Sequence, residues 1–334
     1  LREKKAIHCP QASSSKTVLM KKNRYVLTIT LNPAIDKTIV VPHFQQGRIF
    51  RPDAISLSAG GKGINVSRVL SQLGVNTLAS GFLPQKGAEF IRPELFHNHI
   101  KHHFVKIDGD VRTNLTILNP VSKRATRIFE PGGVVKRKDV RRFKEIYVKL
   151  LQKARIVVIS GSNALGVPPI LNGQLVSLAK RAGVMTVLDT SLDPFKWGIK
   201  RKPFMIKPNL QEAEAILNRR LRNRKQIIRA LKDLHHQGAH TVALTDGNRG
   251  AYVYNGKQML KSTTPRVKQK NPVGCGDSFV AGFLWAYLKN KSFADCIRYG
   301  SACGCVNAVT VNPGSVSLSQ VVRVVKKVTI TSLQ

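Results

Sequence analysis

The stretch NPVGCGDSFVAGFLWAYL, residues 271–288, concentrates more chemistry than any other part of the chain. Gly274 and Gly276 bracket a turn, Asp277 follows at once, and an apolar run begins. The pattern predicts a helix opening at the turn, with backbone N–H groups pointing outward where they favour an anion. An acid at a helix start is often only a cap. Beside such N–H groups it can also serve as a general base. The carboxylate takes a hydroxyl proton while the N–H groups stabilise charge on a phosphoryl group in transfer.

A second glycine cluster lies far upstream, AGGKGINVSR at residues 59–68. Gly60, Gly61 and Gly63 precede a helical pattern in which Val66, Val69, Leu70 and Leu73 share one face and Gly74 supplies the stop. The cluster is neither GxGxxG nor GxxxxGK[ST], and a tight turn into a helix explains it equally well. Around the two clusters, short β-branched runs recur: YVLTITL, RIVVISG, VMTVLD and TVALTD. Helical patterns at 174–182 and 229–236 lie between them. Strands alternating with helices predict a mostly parallel sheet covered on both faces. Two stretches break the rhythm. Residues 37–41 with 54–57, and 112–118 with 125–129, read as consecutive strands with no intervening helix, a small sheet appended to the main body.

The chain has 334 residues, 42% hydrophobic and 22% charged, enough to bury a sizeable core. No run of 18 apolar residues is present, and the first twenty residues hold no apolar signal core, so a cytoplasmic protein is expected. Residues 1–22 read as a polar extension, with the natural start expected near Met20. Five cysteines without a CxxC pair predict neither a disulfide framework nor structural zinc. The net charge is +37, from 55 Lys+Arg against 18 Asp+Glu. Such a field attracts polyanions, from nucleic acid to sugar phosphates. A nucleic-acid groove would interleave aromatics with the basic clusters at 136–142 and 219–229, and at 6% aromatic that pattern is missing.

Taken together and in this order, the two glycine clusters resemble the paired signatures of the ribokinase-like carbohydrate kinases, the PfkB family. Within it the likeness is to 1-phosphofructokinases and tagatose-6-phosphate kinases. It runs from about residue 25 to about residue 315. Supporting pieces are TLNPAID (30–36), FQQG (44–47), GDVRTNLTI (109–117), ISGS (159–162), LDTS (188–191), KPNLQE (207–212) and TDGNRGAYV (245–253). The resemblance implies a three-layer α/β/α fold with a small β-sheet lid inside residues 37–58 and 110–130. It also implies ATP and Mg²⁺ as cofactors, a sugar-phosphate substrate, and a homodimer formed through the lid.

By the same resemblance Asp277 is the catalytic base, and Gly274, Cys275 and Gly276 form the anion hole. Asp36, Gly60, Gly61 and Asn65 contact the sugar. Lys62 and Arg112 hold its existing phosphate, a role that suits a point charge and a bidentate fork. Lys207, Asn209, Thr245, Gly247, Gly250 and Asn307 serve the nucleotide, Asn307 where the adenine pocket closes. Glu212, with Asn209 in the NxxE element, positions hydrated Mg²⁺, a cation that wants oxygen ligands. Three positions depart from the family pattern: Cys275 for Ala or Ser, Asp246 for an apolar residue, and LPQKG (83–87) for a glycine-richer turn. The tract HNHIKHH (97–103) suits no common zinc motif, and Cys303 and Cys305 read as small buried helix residues. The expected activity is ATP-dependent phosphorylation of fructose 1-phosphate, with tagatose 6-phosphate as the alternative acceptor. A basic nucleic-acid-binding protein on a degraded kinase scaffold is the rival from another class, and the intact GCGD sequence opposes it.

Overall fold

The β-branched runs become the centre of a ten-stranded sheet because each strand alternates its side chains between two apolar cores. In β1 (Tyr25–Thr30), Leu27 and Ile29 face one core and Val26 the other. In β8 (Ala154–Ser160), Val157 and Ile159 face the first, and Ile156 and Val158 the second. The structure is a computed structural model and describes residues 24–333. The polar extension expected at 1–22, with Cys9 and Met20, lies outside the described residues.

Along the chain, β1 is followed by β2 (Ala34–Val40), β3 (Ala54–Gly60), α1 (Lys62–Gln72), β4 (Thr77–Lys86), α2 (Ala88–His97) and β5 (Lys101–Asp110). Next come β6 (Arg112–Asn119), β7 (Arg124–Phe129), α3 (Arg137–Leu151), β8, α4 (Ile170–Arg181), β9 (Met185–Asp189) and α5 (Leu192–Ile199). They lead to β10 (Met205–Ile206), α6 (Leu210–Leu217), α7 (Arg224–His236), β11 (Thr241–Thr245), β12 (Ala251–Tyr254) and β13 (Met259–Thr263). The last elements are α8 (Cys275–Leu288), α9 (Phe293–Ala308), α10 (Leu318–Val325) and β14 (Thr329–Ser332). The large sheet runs β14-β13-β12-β11-β10-β9-β8-β1-β4-β5. It is parallel from β5 to β11 and antiparallel beyond.

Helices α3, α4 and α7 cover one face through residues such as Phe143, Leu175 and Leu231. Helices α1, α8, α9 and α10 cover the other through Val69, Phe283, Ile297 and Val321. This is the expected three-layer arrangement. Helix α8 is apolar nearly all round and lies deep in its layer. It meets α9 at two glycines: a Cβ on Gly282 would lie 2.5 Å from the Tyr299 carbonyl oxygen, and one on Gly300 2.9 Å from that of Phe279. Cys303 and Cys305 are buried in α9, as their sequence context predicted.

The second sheet has four strands in the order β3-β2-β6-β7. Its register aligns Asp36 with Ser58 and Asn114, and Lys37 with Leu57 and Leu115. Polar side chains therefore line one face. The opposite face carries Ile55, Leu57 and Ile128, each about half exposed. LPQK (83–86) forms the end of β4, and Gly87 then turns into α2 in the left-handed conformation (φ 84°).

Candidate active site

The parallel strands end on one side of the sheet, and the loops that leave them converge on the start of α8. Gly274 caps this helix in the left-handed conformation (φ 80°), where only glycine is unstrained. No side chain caps it, so its first N–H groups are left without a side-chain partner. Asn307 fixes the turn from beneath. Its Nδ2 donates to the Val273 carbonyl at 2.8 Å, and its Oδ1 accepts from the Gly314 N–H at 2.6 Å. Asn307 is fully buried, with both ends of its amide engaged beneath the Gly274 turn.

Asp277 is 5% exposed, and its Oδ2 accepts from the Asn65 Nδ2 at 2.9 Å. Burial pushes its carboxyl up to about 6, and the negative charge of Asp189 adds to the rise; Lys62, Asn65 and Lys207 oppose it. Asp189 ends β9 and is buried, with Oδ1 at 3.1 Å from the Lys62 Nζ and 3.4 Å from the Lys207 Nζ. Burial alone would raise the Asp189 carboxyl, but the two ammonium groups outweigh it and hold it below the ordinary carboxylate range. The Lys62 Nζ also lies 3.6 Å from Glu212 Oε1. Burial works against its charge, yet Asp189, Glu212 and Asp277 raise it above the ordinary lysine value, so it stays cationic. Gly276 lets the second ammonium lie against the turn: a Cβ there would sit 3.0 Å from the Lys207 Nζ. Two cations and an uncapped helix N-terminus thus surround the space before a buried carboxylate. That arrangement can receive phosphate and withdraw a proton from a neighbouring hydroxyl.

Asn209 and Glu212 form a reciprocal cap at the start of α6. Asn209 Oδ1 accepts from the Glu212 N–H, and Glu212 Oε2 from the Asn209 N–H, both at 2.8 Å. Thr245 adjoins them: it bridges to Asn209, and its N–H donates to the Pro208 carbonyl at 3.1 Å. The next turn holds Gly247 (φ 55°) and Gly250 (φ 97°). Gly250 also answers to packing, since a Cβ there would strike the Ser262 carbonyl oxygen at 2.0 Å. Asp246 carries its own counter-charge, Arg249, at 2.8 Å.

On the lid, Asp36 Oδ1 accepts from the Asn114 Nδ2 at 2.9 Å. Burial raises the Asp36 carboxyl; the Asn114 hydrogen bond, Arg68 and Arg112 act the other way. Gly60 makes room for it, because a Cβ on Gly60 would lie 2.2 Å from the Asp36 Cγ. Gly61 turns at φ 113° into α1. Arg112 donates to the carbonyls of Asn32 (3.1 Å) and Glu130 (3.2 Å), and its buried Nε has no partner among the described residues. The two cations expected to share one phosphate therefore stand apart in their contacts: Arg112 with the small sheet and the loop after β1, Lys62 with Asp189 and Glu212.

Asp189, Arg68 and Asn114 carry site contacts that the sequence reading did not single out. The signal for Asp189 was available in LDTS, an acid at the carboxyl end of a predicted parallel strand. The histidines of 97–103 are not brought together; they divide among α2, the following loop and β5. Among the described residues no group of three or more His, Cys, Asp and Glu could hold a metal ion. Mg²⁺ needs no such cage, because it keeps much of its water and binds through one or two carboxylates and substrate phosphates. The donor set suits it: Glu212 with Asn209, and beside them Asp189, whose buried Oδ2 has no partner among the described residues.

The sheet, the lid and the α8 turn define a carbohydrate kinase of the ribokinase-like fold. The chain belongs to the pfkB family of carbohydrate kinases, whose family model matches residues 29–319. It is 31% identical over 306 residues to the tagatose-6-phosphate kinase of Staphylococcus epidermidis, covering 91% of this chain and 98% of that one. Among solved structures, the "possible 1-phosphofructokinase" of Thermotoga maritima superposes with a TM-score of 0.86 at 27% identity, over 93% of this chain and 100% of that one. Escherichia coli phosphofructokinase-2 in complex with fructose-6-phosphate gives 0.83 at 25% identity, over 91% and 98%.

Proposed function

We propose that the protein transfers the γ-phosphoryl group of ATP to the free primary hydroxyl of a ketohexose phosphate. Fructose 1-phosphate, giving fructose 1,6-bisphosphate, is the first choice. Tagatose 6-phosphate, giving the 1,6-bisphosphate, is the second, favoured by the full-length likeness to a tagatose-6-phosphate kinase. The observation that carries the reading is Asp277, buried at the uncapped start of α8 and held by Asn65. With its carboxyl near 6, Asp277 is mostly ionised at neutral pH and still basic enough to take the hydroxyl proton as the oxygen attacks phosphorus. The N–H groups at Cys275 and Gly276, with Lys62 and Lys207, receive the negative charge of the phosphoryl group in transfer. Mg²⁺, when bound through Glu212 and Asn209, supplies charge neutralisation at the nucleotide phosphates. Thr245, Gly247 and Gly250 border the nucleotide side. Asp36 holds sugar hydroxyls, and Arg112 holds the phosphate the sugar already carries. The half-exposed apolar face of the lid supports a homodimer in which two lids cover each other.

Steady-state kinetics with ATP and fructose 1-phosphate, fructose 6-phosphate or tagatose 6-phosphate tests the reading. The highest kcat/KM is expected with fructose 1-phosphate. Preference for tagatose 6-phosphate selects the second reading, and turnover of none refutes both.

A further inference from the structure

Arg68 is buried in α1, three residues beyond Asn65, and it sits where the two halves of the site meet. Its Nη1 donates to Asn65 Oδ1 at 2.9 Å and to the Pro313 carbonyl at 3.1 Å. Its Nη2 donates to the Ala59 carbonyl near the end of β3 and lies 3.8 Å from Glu94 Oε2. A guanidinium offers donors only, so the oxygen end of the Asn65 amide must face it. The nitrogen end is thereby turned to Asp277 Oδ2, at 2.9 Å. Arg68 and Asp277 thus hold the amide the same way round from its two ends, and without Arg68 the amide loses the anchor that fixes where its nitrogen meets the carboxylate.

The backbone groups that Arg68 grips are not incidental. The Pro313 carbonyl lies on the loop whose Gly314 N–H binds Asn307 under the anion hole, and Asn312 of the same loop meets the Ser56 hydroxyl on β3. Ala59 precedes Gly60, the residue whose bareness leaves room for Asp36. One buried cation thus touches the strand beside the sugar carboxylate, the loop bracing the anion hole, and the amide that binds the base.

We propose that Arg68 is a positioning residue: through Asn65 it fixes which oxygen of Asp277 is tied, leaving Oδ1 for the substrate hydroxyl. The proposal rests on the reading of Asp277 as the base. Arg68 touches no reacting atom in this scheme. Its effect should therefore fall on kcat and vanish when Asn65 can no longer transmit it.

The test is a double-substitution cycle on the full chain, with ATP and the faster of fructose 1-phosphate and tagatose 6-phosphate. Arg68→Met should lower kcat by roughly 10–100-fold, the scale of a misplaced catalytic group, with the KM for ATP changed by no more than about twofold. In an Asn65→Ala background the same substitution should lower kcat by no more than about twofold, because coupled residues are not additive. Arg68→Lys keeps the charge but loses the fork that spans three acceptors, and it should show the same non-additivity with a smaller loss. It carries the test if Arg68→Met does not fold. Losses that multiply in the double variant, or an unchanged kcat in a folded single variant, overturn the proposal. Asp277→Asn, measured alongside, separates the two failures. If it retains activity, the base is misassigned; if it is inactive while the Arg68 and Asn65 losses multiply, only the positioning role fails.

Discussion

Replacing Asp277 with asparagine should remove activity and strengthen the fold, and the second effect has a definite pH dependence. Burial and the neighbouring Asp189 hold this carboxyl at about 6, against 3.8 for an unperturbed aspartate. At 1.36 kcal/mol per pH unit, keeping it ionised destabilises the folded state by roughly 3 kcal/mol above pH 7. The folded value lies above the unfolded one. The penalty is therefore absent below about pH 4, grows as the pH rises toward 6, and is complete beyond it. Asparagine has the same shape, carries no charge, and can still accept from Asn65 through its side-chain oxygen. At pH 8 the variant should melt about 5 °C higher than the parent, and the difference should close as the pH approaches 4.5. Its kcat should fall by ~10²–10⁴-fold, the usual contribution of general-base catalysis. In the parent, kcat/KM should drop as the pH falls through about 6. Melting curves from pH 4.5 to 8 and steady-state rates check all three. A variant that keeps near-parental turnover, or one whose stability change is independent of pH, refutes the reasoning.

Arg112→Ala should raise the KM for the sugar phosphate by roughly 10–100-fold, since a lost charge-assisted hydrogen bond costs about 1.5–3 kcal/mol, and leave the KM for ATP nearly unchanged; a rise confined to ATP would move Arg112 to the other side of the cleft. Gly60→Ala places a methyl 2.2 Å from the Asp36 Cγ, so it should weaken sugar-phosphate binding at least as strongly as Asp36→Ala, and equal affinity in isothermal titration of parent and variant would show that Asp36 does not bind sugar. The lid-mediated dimer should become more populated with ionic strength, because the net charge of +37 opposes it and salt screens that repulsion over ~8 Å. Leu57→Arg, on the half-exposed lid face, should abolish the dimer in sedimentation velocity; a parent that is monomeric and fully active at low and moderate salt eliminates the dimer altogether.

The architecture was legible because its signals are local. Alternating β-branched residues mark β1, β8, β9 and β11, and glycines mark the turns into α1 and α8. The absence of helical spacing around residues 37–58 and 110–130 separates the small sheet from the large one. The contacts of the site were less legible because they join residues far apart in the chain. Lys62 reads as a phosphate-binding cation, and only the folded chain shows it held between Asp189 and Glu212. Nothing in the sequence around Asn307 marks what it packs against, and only the folded chain places its amide beneath Gly274. Arg68 looks like any polar residue on an amphipathic helix until Ala59, Asn65 and Pro313 close around it.

The interlocked glycines of α8 and α9 bear on how such a protein can change over generations. Asp277 is borne by a helix whose neighbour touches it backbone to side-chain position, so enlargement at Gly282 or Gly300 meets backbone atoms. The small sheet differs: its face bearing Ile55, Leu57 and Ile128 is half open, and a side chain there can be exchanged with little repacking. Drift in the sequence therefore has an easy direction and a closed one. A lineage built on this frame can redraw the open face of the small sheet, while Asp36, buried against Gly60, and Asp277, at the head of α8, stay where the packing has set them.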